Sequence, residues 1–191
     1  MDDLVESVAG RQDTPLDGTF ICFDIETTGL SPLRDKITEI GAVLIRNGEV
    51  IDRFNTFVDP EVPIPEEIVE LTGITDEMVK GAPKTKEALQ MFFDFIGRRV
   101  DGSPKLLVAH NAEFDVGFIR TFAEQCGLPF DNPYMDTVAL SRFINPELKT
   151  HKLDVVAKYY NLPEFHHHRA CDDADILAQI YFCMANKMRE T

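Results

Sequence analysis

Acidic residues occur where the rest of this sequence predicts a buried surface. In the β-rich stretch TFICFDIE (19–26), Asp24 and Glu26 fall on the same face of the predicted strand as two apolar residues. Ionised carboxylates are rarely buried unless they are paired or bind a metal. Because residues two apart on a strand have Cβ atoms about 7 Å apart, this pair can share one divalent cation. The alternative is that both side chains lie beyond the strand end, solvated in the loop ETTGLSP (26–32).

Two predicted helices also carry an aspartate at the head of an apolar stripe. Asp115 begins one stripe, and Asp173 begins another in the last predicted helix. The apolar residues are Ile119, Phe122 and Cys126 after Asp115, and Leu177, Ile180 and Met184 after Asp173. At helical spacing, Asp172 and Asp175 are instead both in line with the polar residue Gln179. This places the two aspartates on the flanks of the apolar stripe. Because neither stripe contains Lys or Arg, a shared cation is favoured over separate caps or salt bridges.

A site made only of carboxylate oxygens is typical of hard cations, Mg²⁺ or Mn²⁺, rather than Zn²⁺. Two such ions about 4 Å apart clamp the attacking and leaving oxygens of an in-line phosphoryl displacement. The carboxylates therefore indicate metal-dependent chemistry on a phosphate ester. Bound cations would also invert the local field where the phosphate binds.

A run of three histidines, 166–168, precedes the last predicted helix in PEFHHHRACDDADIL (163–177). The run fits a solvated turn, a transition-metal clamp, or one corner of an active site completed elsewhere. Adjacent histidine side chains are expected to point in different directions, and the sequence offers no second His/Cys cluster for a clamp. The third reading is therefore favoured, with His166 and His167 as loop residues near the substrate.

Composition limits the class of protein. The 191 residues carry 44% hydrophobic side chains and a net charge of −14, and no apolar run approaches the ~18 residues that span a bilayer. We expect a cytoplasmic protein without a membrane partner, whose four cysteines are buried free thiols. Phosphate binding by charge alone requires a basic surface, so −14 excludes a stand-alone nucleic-acid binder unless cations or a partner supply the affinity.

Strands come first in the chain, and a strand and helices follow, which predicts a mixed α/β sheet with three antiparallel strands first and helices packed against it. Residues 1–17 are predicted to be a flexible leader, and 18–191 a single domain. Asn47–Gly48 is the hairpin signal between the second and third strands. The predicted strands are 19–26, 38–46, 49–58 and 105–110; the predicted helices are short ones within 59–83, then 84–100, 113–126, 136–144, 152–160 and 170–188.

Three motifs resemble those of the DEDDh (DnaQ-like) 3′→5′ exonuclease family. They are FDIETTGL (23–30), HNAEFDVGF (110–118) and HRACDDA (168–174). The connecting segments IVELTGITDEMV (68–79), YMDTVALSRFINPE (134–147) and HKLDVVAKYYNLPEFHHHRA (151–170) are most similar to the proofreading exonuclease domain of bacterial DNA polymerase III of the PolC type. The resemblance implies a ribonuclease-H-like fold, two Mg²⁺ or Mn²⁺ ions, and release of nucleoside 5′-monophosphates from DNA 3′ ends.

The resemblance also assigns roles to the catalytic residues. It implies that Asp24 bridges both metals, that Glu26 and Asp173 complete the first metal site, and that Asp115 holds the second metal through water. His168 is implied to be the general base, a task that suits an imidazole with a near-neutral pKa. In the third motif the aspartate follows the histidine by five residues, which pairs His168 with Asp173. Asp173 is also the aspartate that heads the apolar stripe of the last predicted helix.

Four further residues are implied to bind the terminal nucleotide: Thr27, Thr28, Leu30 and Phe114. For Leu30 and Phe114, a place in the hydrophobic core is the alternative. Asn111 and Asp136 also match family positions, where a structural hydrogen-bonding role is favoured. The implied partners are a DNA 3′ end, as a single strand or frayed primer, and a replicative polymerase, in cis or in trans.

Two other functions share these catalytic residues or this fold. One is a DEDDh ribonuclease that trims RNA or oligoribonucleotides, and the other is an inactive interaction module. The five intact catalytic positions argue against the inactive module. The chain is expected to be a domain of a longer polymerase, with a small separate subunit as the alternative.

Overall fold

β1 (Thr19–Thr27) lies at the centre of a five-stranded sheet with the order β3-β2-β1-β4-β5. The structure, a computed structural model, describes residues 18–97, 104–165 and 167–189. The hairpin β1-β2-β3 is antiparallel, whereas β4 runs parallel to β1, and β5 runs parallel to β4. This arrangement is the mixed sheet that the sequence predicts. The other strands are β2 (Ile37–Arg46), β3 (Glu49–Phe57), β4 (Leu106–Ala109) and β5 (Tyr134–Asp136).

The helices of the described residues follow the predicted order. They are α1 (Glu66–Thr72), α2 (Asp76–Val79), α3 (Thr85–Ile96), α4 (Ala112–Cys126), α5 (Thr137–Ile144), α6 (Leu153–Tyr159) and α7 (Ala170–Arg189). The predicted leader 1–17 and His166 lie outside the described residues, as does 98–103. Among the described helices, none has the length and apolar character needed to cross a membrane.

β5 is the strand that the sequence prediction omitted. It has only three residues and pairs with β4 through Leu107, Val108 and Ala109. A strand this short, placed directly before a helix, has too few residues to show an alternating pattern. Its position in the sheet comes from the pairing with β4.

Alternation along β1 directs its side chains into two separate hydrophobic cores. Ile21, Phe23 and Ile25 pack with α3 and α4 on one face of the sheet. Phe20 and Cys22 pack with α6 and α7 on the other. Asp24 and Glu26 continue the second face toward the end of the strand, so the helix that covers this face also approaches the two carboxylates.

Gly41 of β2 allows the start of α7 to lie directly on the sheet. It pairs with Asp24 across the β1–β2 ladder. A Cβ atom at Gly41 would lie 2.2 Å from the carbonyl carbon of Ala170 and 2.4 Å from the amide nitrogen of Cys171. Because both of these atoms belong to the backbone of α7, no side-chain rotation can relieve such a clash. Gly41 therefore sets the approach of the first turn of α7 to Asp24.

We expect Gly41→Ala to lower the free energy of unfolding by about 3 kcal/mol, because the helix must move away from a close-packed strand. Urea unfolding followed by circular dichroism measures this change. Gly117→Ala is the matched control, since Gly117 lies in α4 with no atom within 4 Å of an added Cβ. It should leave stability unchanged or raise it by up to about 1 kcal/mol. Equal effects of the two substitutions would contradict the assigned role of Gly41.

Candidate active site

Asp24 and Glu26 belong to β1 itself, so the alternative that places them in the following loop is wrong. Both pair across the ladder with β2, Asp24 with Gly41 and Glu26 with Glu39. Glu26 is buried at 8% exposure, and Asp24 keeps partial contact with solvent. A shift in register between Glu26 and Thr27 marks the point where the strand begins to leave the sheet. The two carboxylates therefore lie on one face of the sheet, at the carboxyl-terminal end of its central strand, the edge toward which β4 also runs.

Asp115 reaches the same edge from α4. β4 ends at Ala109, and the chain turns through Asn111 in the left-handed conformation, φ 67°, before α4 begins. Asp115 is 2% exposed, and its Oδ1 accepts a hydrogen bond of 3.2 Å from the backbone N–H of Ile25. Since Ile25 lies between Asp24 and Glu26, this bond fixes the start of α4 beside both of them.

Asp173 completes the group from the first turn of α7. The side chains of Asp24, Glu26 and Asp173 each offer an oxygen, and these oxygens all lie within 4.8 Å of one another. Asp173 is 3% exposed, and its Oδ1 has no hydrogen-bond partner among the described residues. An unpartnered carboxylate oxygen beside the partly exposed Asp24 and the buried Glu26 fits a bound cation, which would remove the cost of burying these charges.

Burial and mutual repulsion raise the pKa of the acids in this cluster. The pKa of Asp24 is well above its usual range, mainly because of desolvation and then because of repulsion from Asp115 and Asp173. Desolvation followed by repulsion from Asp173 and Glu39 raises the pKa of Glu26 to about 8. Desolvation also raises the pKa of Asp115 to about 8, against the opposing hydrogen bond from Ile25. The metal-free site is therefore poised to release protons as a cation binds.

Glu39 and Arg169 hold the start of α7 against the sheet, and the sequence prediction missed both. The Glu39 side chain is fully buried and accepts two hydrogen bonds from the Arg169 guanidinium, at 3.0 and 3.2 Å, and one from the Ala170 N–H at 3.1 Å. The ion pair thus joins β2 to the residue before α7. Glu39 in an otherwise apolar strand was a visible signal of this contact.

We expect Arg169→Leu to cost about 3–5 kcal/mol of folding free energy, because it leaves the buried Glu39 charge without its partner. Chemical unfolding measures the loss. Arg53→Leu is the matched control, since it removes an arginine–carboxylate pair with Asp175 in which the Arg53 side chain is 59% exposed. The control should cost at most about 1 kcal/mol. An Arg169→Leu variant as stable as the control would show that the buried pair does not anchor α7.

His168 lies two residues before the start of α7 and is half-buried in a left-handed conformation, φ 68°. Its backbone N–H donates to Asp173 Oδ2 at 2.9 Å, which places the histidine beside the carboxylates. Partial burial lowers the pKa of the His168 imidazole, as does the neighbouring His167. A lowered pKa keeps the ring neutral near pH 7, the form that can accept a proton.

The expectation that adjacent histidine side chains diverge is wrong for His167 and His168. Their rings stack with centroids 4.0 Å apart at an angle of 24°. The left-handed backbone of His168 brings the two side chains to the same side of the loop. His167 Nδ1 lies 3.4 Å from Asp173 Oδ2, so a residue that the sequence prediction left in the loop contacts the acidic cluster.

A model of the exonuclease family, of the RNase T type, matches residues 21–181, which is most of the chain. This chain belongs to the exonuclease family. The exonuclease is 45% identical over 190 residues to DNA polymerase III PolC-type of Caldanaerobacter subterraneus and 48% identical over 183 residues to that of Clostridium perfringens. These matches cover 100% and 96% of this chain but only 13% and 12% of the two relatives' own lengths.

Solved exonuclease structures share the fold. Exonuclease X in complex with 5′ overhanging duplex DNA superposes with a TM-score of 0.68 and 27% identity, covering 90% of this chain and 94% of its own. The nuclease domain of 3′hExo, a DEDDh family member bound to rAMP, gives a TM-score of 0.76 at 20% identity, covering 93% and 94%. These matches confirm the predicted ribonuclease-H-like fold, and the family match confirms the predicted resemblance to exonucleases. Membership of this family implies divalent metal ions, which the clustered carboxylates of the exonuclease fit.

The loop after β1 exposes Leu30, four residues after Glu26 in the sequence of the exonuclease. Leu30 is 85% exposed, so the alternative that places it in the core is wrong. Thr27 and Thr28 are buried, and their hydroxyls shape the loop: Thr27 Oγ1 donates to the Gly29 carbonyl, and Thr28 Oγ1 accepts from the Lys36 N–H. Phe114 is partly buried against the core, with its ring 5.0 Å from that of Phe118.

Asp136 and Asn111 have the structural role that the sequence prediction favoured. Asp136 Oδ1 accepts hydrogen bonds of 2.9 Å from the N–H groups of Val138 and Asn111. The aspartate therefore caps α5 and holds the turn that leads into α4. Both contacts support the exonuclease site through the backbone.

Stability of the metal-free exonuclease should fall as pH rises. Folded Glu26 and Asp115 keep their protons up to about pH 8, whereas in the unfolded chain both ionise near pH 4. Their contribution to stability is therefore complete below about pH 4 and is lost as pH rises through about 8. Melting temperatures in EDTA should decline from pH 5 to 8.5, and added Mn²⁺ should raise them most at the alkaline end.

Glu26→Gln is the control for this pH dependence, because the amide has the same shape and does not ionise. Its melting temperature in EDTA should decline less steeply with pH than that of the unaltered protein. A melting temperature in EDTA that rises across this range would contradict the assigned pKa shifts.

Proposed function

We propose that this exonuclease domain removes nucleoside 5′-monophosphates from DNA 3′ ends and proofreads for a replicative DNA polymerase. The observation that carries the proposal is the convergence of Asp24, Glu26, Asp115 and Asp173 at one sheet edge, with His168 beside them. Similarity to PolC-type polymerases over the whole chain supports the polymerase context.

We propose Mg²⁺ or Mn²⁺ as the cations, since all the acidic ligands are carboxylate oxygens. Asp24, Glu26 and Asp173 would hold the first ion, and Asp24 with Asp115 the second. When bound, the ions activate water and neutralise the phosphate charge that repels the acidic protein. The chain's own part is to fix the four carboxylates before substrate binds, through β1, the Ile25–Asp115 hydrogen bond and the close contact at Gly41.

His168 is proposed to take the proton from the attacking water. The ring lies on a loop at the rim of the acidic cluster, half-buried and accessible to a water molecule. Its lowered pKa leaves the imidazole neutral at the pH of the cytoplasm, ready to accept that proton. The water oxygen then bonds to phosphorus as the bond to the 3′ oxygen of the preceding nucleotide breaks. That oxygen takes a proton from solvent and leaves as the new 3′ hydroxyl end.

The loop after β1 is proposed to contact the terminal nucleotide. Leu30 offers an exposed apolar surface for the base, and the buried Thr27 and Thr28 keep the loop in place. Phe114, at the start of α4, is proposed to bound the same pocket. The net charge of −14 predicts weak DNA affinity for this chain alone, so we propose that the polymerase delivers the 3′ end.

Nuclease assays with defined ends test the proposal. The purified chain is incubated with Mg²⁺ or Mn²⁺ and with single-stranded, paired and 3′-mispaired DNA primers and matching RNA. We expect mononucleotides to leave labelled 3′ ends, faster from mispaired than from paired primers. A preference for RNA would favour the ribonuclease reading. Mononucleotide release from labelled 5′ ends, or no release from any substrate, would overturn the proposed activity.

A further inference from the structure

Of the histidine pair before α7, His167 has no part in the proposed carboxylate chemistry, yet it belongs to a cluster with two residues that do. His167 packs between Phe165 and His168, with ring centroids 5.4 and 4.0 Å away. The side chains of His167, His168 and Asp173 each offer a ligand atom within 4.8 Å of the others. Two imidazoles and one carboxylate are a different ligand set from the oxygen cluster of Asp24 and Glu26.

The spacing of this cluster suits a tetrahedral transition-metal ion. Metal–ligand bonds of 2.0–2.2 Å place two ligands of a tetrahedral Zn²⁺ about 3.3 Å apart. His167 Nδ1 lies 3.4 Å from Asp173 Oδ2. Both atoms accept hydrogen bonds of 2.9 Å from one donor, the backbone N–H of His168, so their lone pairs already converge on one point. A cation at that point would replace the N–H as their common partner.

Asp173 joins this cluster through Oδ2, which leaves its Oδ1 for the carboxylate site. The carboxylate is 3% exposed, and its Oδ1 lacks a hydrogen-bond partner in the described part of the chain. The His168 backbone, which must move to admit a cation, is in the left-handed conformation at φ 68°, about 1–2 kcal/mol above the common regions.

We propose that His167, His168 and Asp173 form a second metal site that binds a transition-metal ion such as Zn²⁺ and switches the exonuclease off. Imidazole ligands favour Zn²⁺ over Mg²⁺, which takes oxygen ligands. Occupation of this site engages Asp173 Oδ2 and the imidazole of His168, the proposed general base. The inhibitory metal therefore competes with catalysis for these two residues. The inhibition rests on the proposed function, whereas metal binding does not.

Metal binding is measured first, because it needs no nuclease activity. The EDTA-treated protein is titrated with Zn²⁺ by calorimetry and with Co²⁺ by visible absorption, where intense d–d bands report tetrahedral nitrogen ligation. Asp24→Asn weakens the carboxylate site and should retain one Zn²⁺ equivalent. Adding His167→Ala to that variant should lower the remaining affinity at least 10-fold and abolish the Co²⁺ bands.

Activity is measured second, at pH 8 with Mg²⁺. His167→Ala and His167→Asn should keep the Mg²⁺-dependent rate, and the Zn²⁺ concentration for half inhibition should rise at least 10-fold. His167→Asn is included because its amide oxygen can still accept the His168 N–H. The control His151→Asn removes an imidazole that contacts Ser141 instead, and its Zn²⁺ sensitivity should not change. Zn²⁺ binding unaltered by both His167 substitutions, or lost entirely in Asp24→Asn, would overturn the proposal.

Discussion

Asp24→Asn should reduce kcat/KM for 3′ nucleotide release by about 10³-fold or more. Asp24 is the carboxylate proposed to bridge both cations, and loss of a metal-assisted contribution of several kcal/mol corresponds to a factor of this size. Glu26 and Asp173 remain in place, with their oxygens close together. Steady-state hydrolysis of a 3′-labelled single strand at saturating Mg²⁺ measures the effect.

Stability measurements distinguish the loss of a metal ligand from the loss of the folded structure in Asp24→Asn. Desolvation and neighbouring acids raise the pKa of Asp24, so its charge destabilises the metal-free protein at neutral pH. The melting temperature of Asp24→Asn in EDTA at pH 8 should therefore be higher than that of the unaltered chain, and Mn²⁺ should raise it less. Asp175→Asn is the matched control, because Asp175 lies two residues after Asp173 but pairs with Arg53 at the surface. Normal activity in a folded Asp24→Asn variant would rule out the proposed metal site.

His168→Gln should lower kcat/KM by about 10²- to 10⁴-fold, the usual contribution of a general base. In the unaltered exonuclease, kcat/KM should rise with pH as His168 loses its proton, because only the neutral ring accepts a proton. Burial lowers the pKa of His168, so the midpoint of this rise should lie below the ordinary histidine value of about 6.5. The rise should be absent in His168→Gln.

The pH profile is measured at saturating metal, so that the carboxylates remain bound and ionised at each pH. His151→Asn serves as the control, since it removes a histidine that bonds Ser141 and should keep the same midpoint. A rise in kcat/KM that persists unchanged in His168→Gln would assign the base to another group.

Local patterning was enough to predict much of the fold and the acidic cluster. Alternation along 19–26 identified a strand with two faces, and Ile21 and Phe20 indeed enter different cores. The stripes headed by Asp115 and Asp173 predicted buried aspartates, which are 2% and 3% exposed. These predictions succeed because a strand period of two and a helix period of 3.6 are properties of the chain alone. The roles of the acids in catalysis stay predictions.

Contacts between distant segments could not be predicted in the same way. Gly41 fits against Ala170, and Glu39 binds Arg169, across about 130 positions of sequence. A glycine or a glutamate within a strand indicates only that another segment packs closely there. The sequence does not identify which residues make that contact. The three-residue β5 was missed for a related reason, since its place depends on pairing with β4.

The sequence by itself determined which residues are the candidates for the chemistry: the acids Asp24, Glu26, Asp115 and Asp173, and a histidine run before the last helix. Only the tertiary structure decided how His167 is used. The left-handed backbone at His168 stacks the two rings and directs His167 onto Asp173. A single backbone dihedral controls which way these adjacent side chains point, and no spacing rule encodes it.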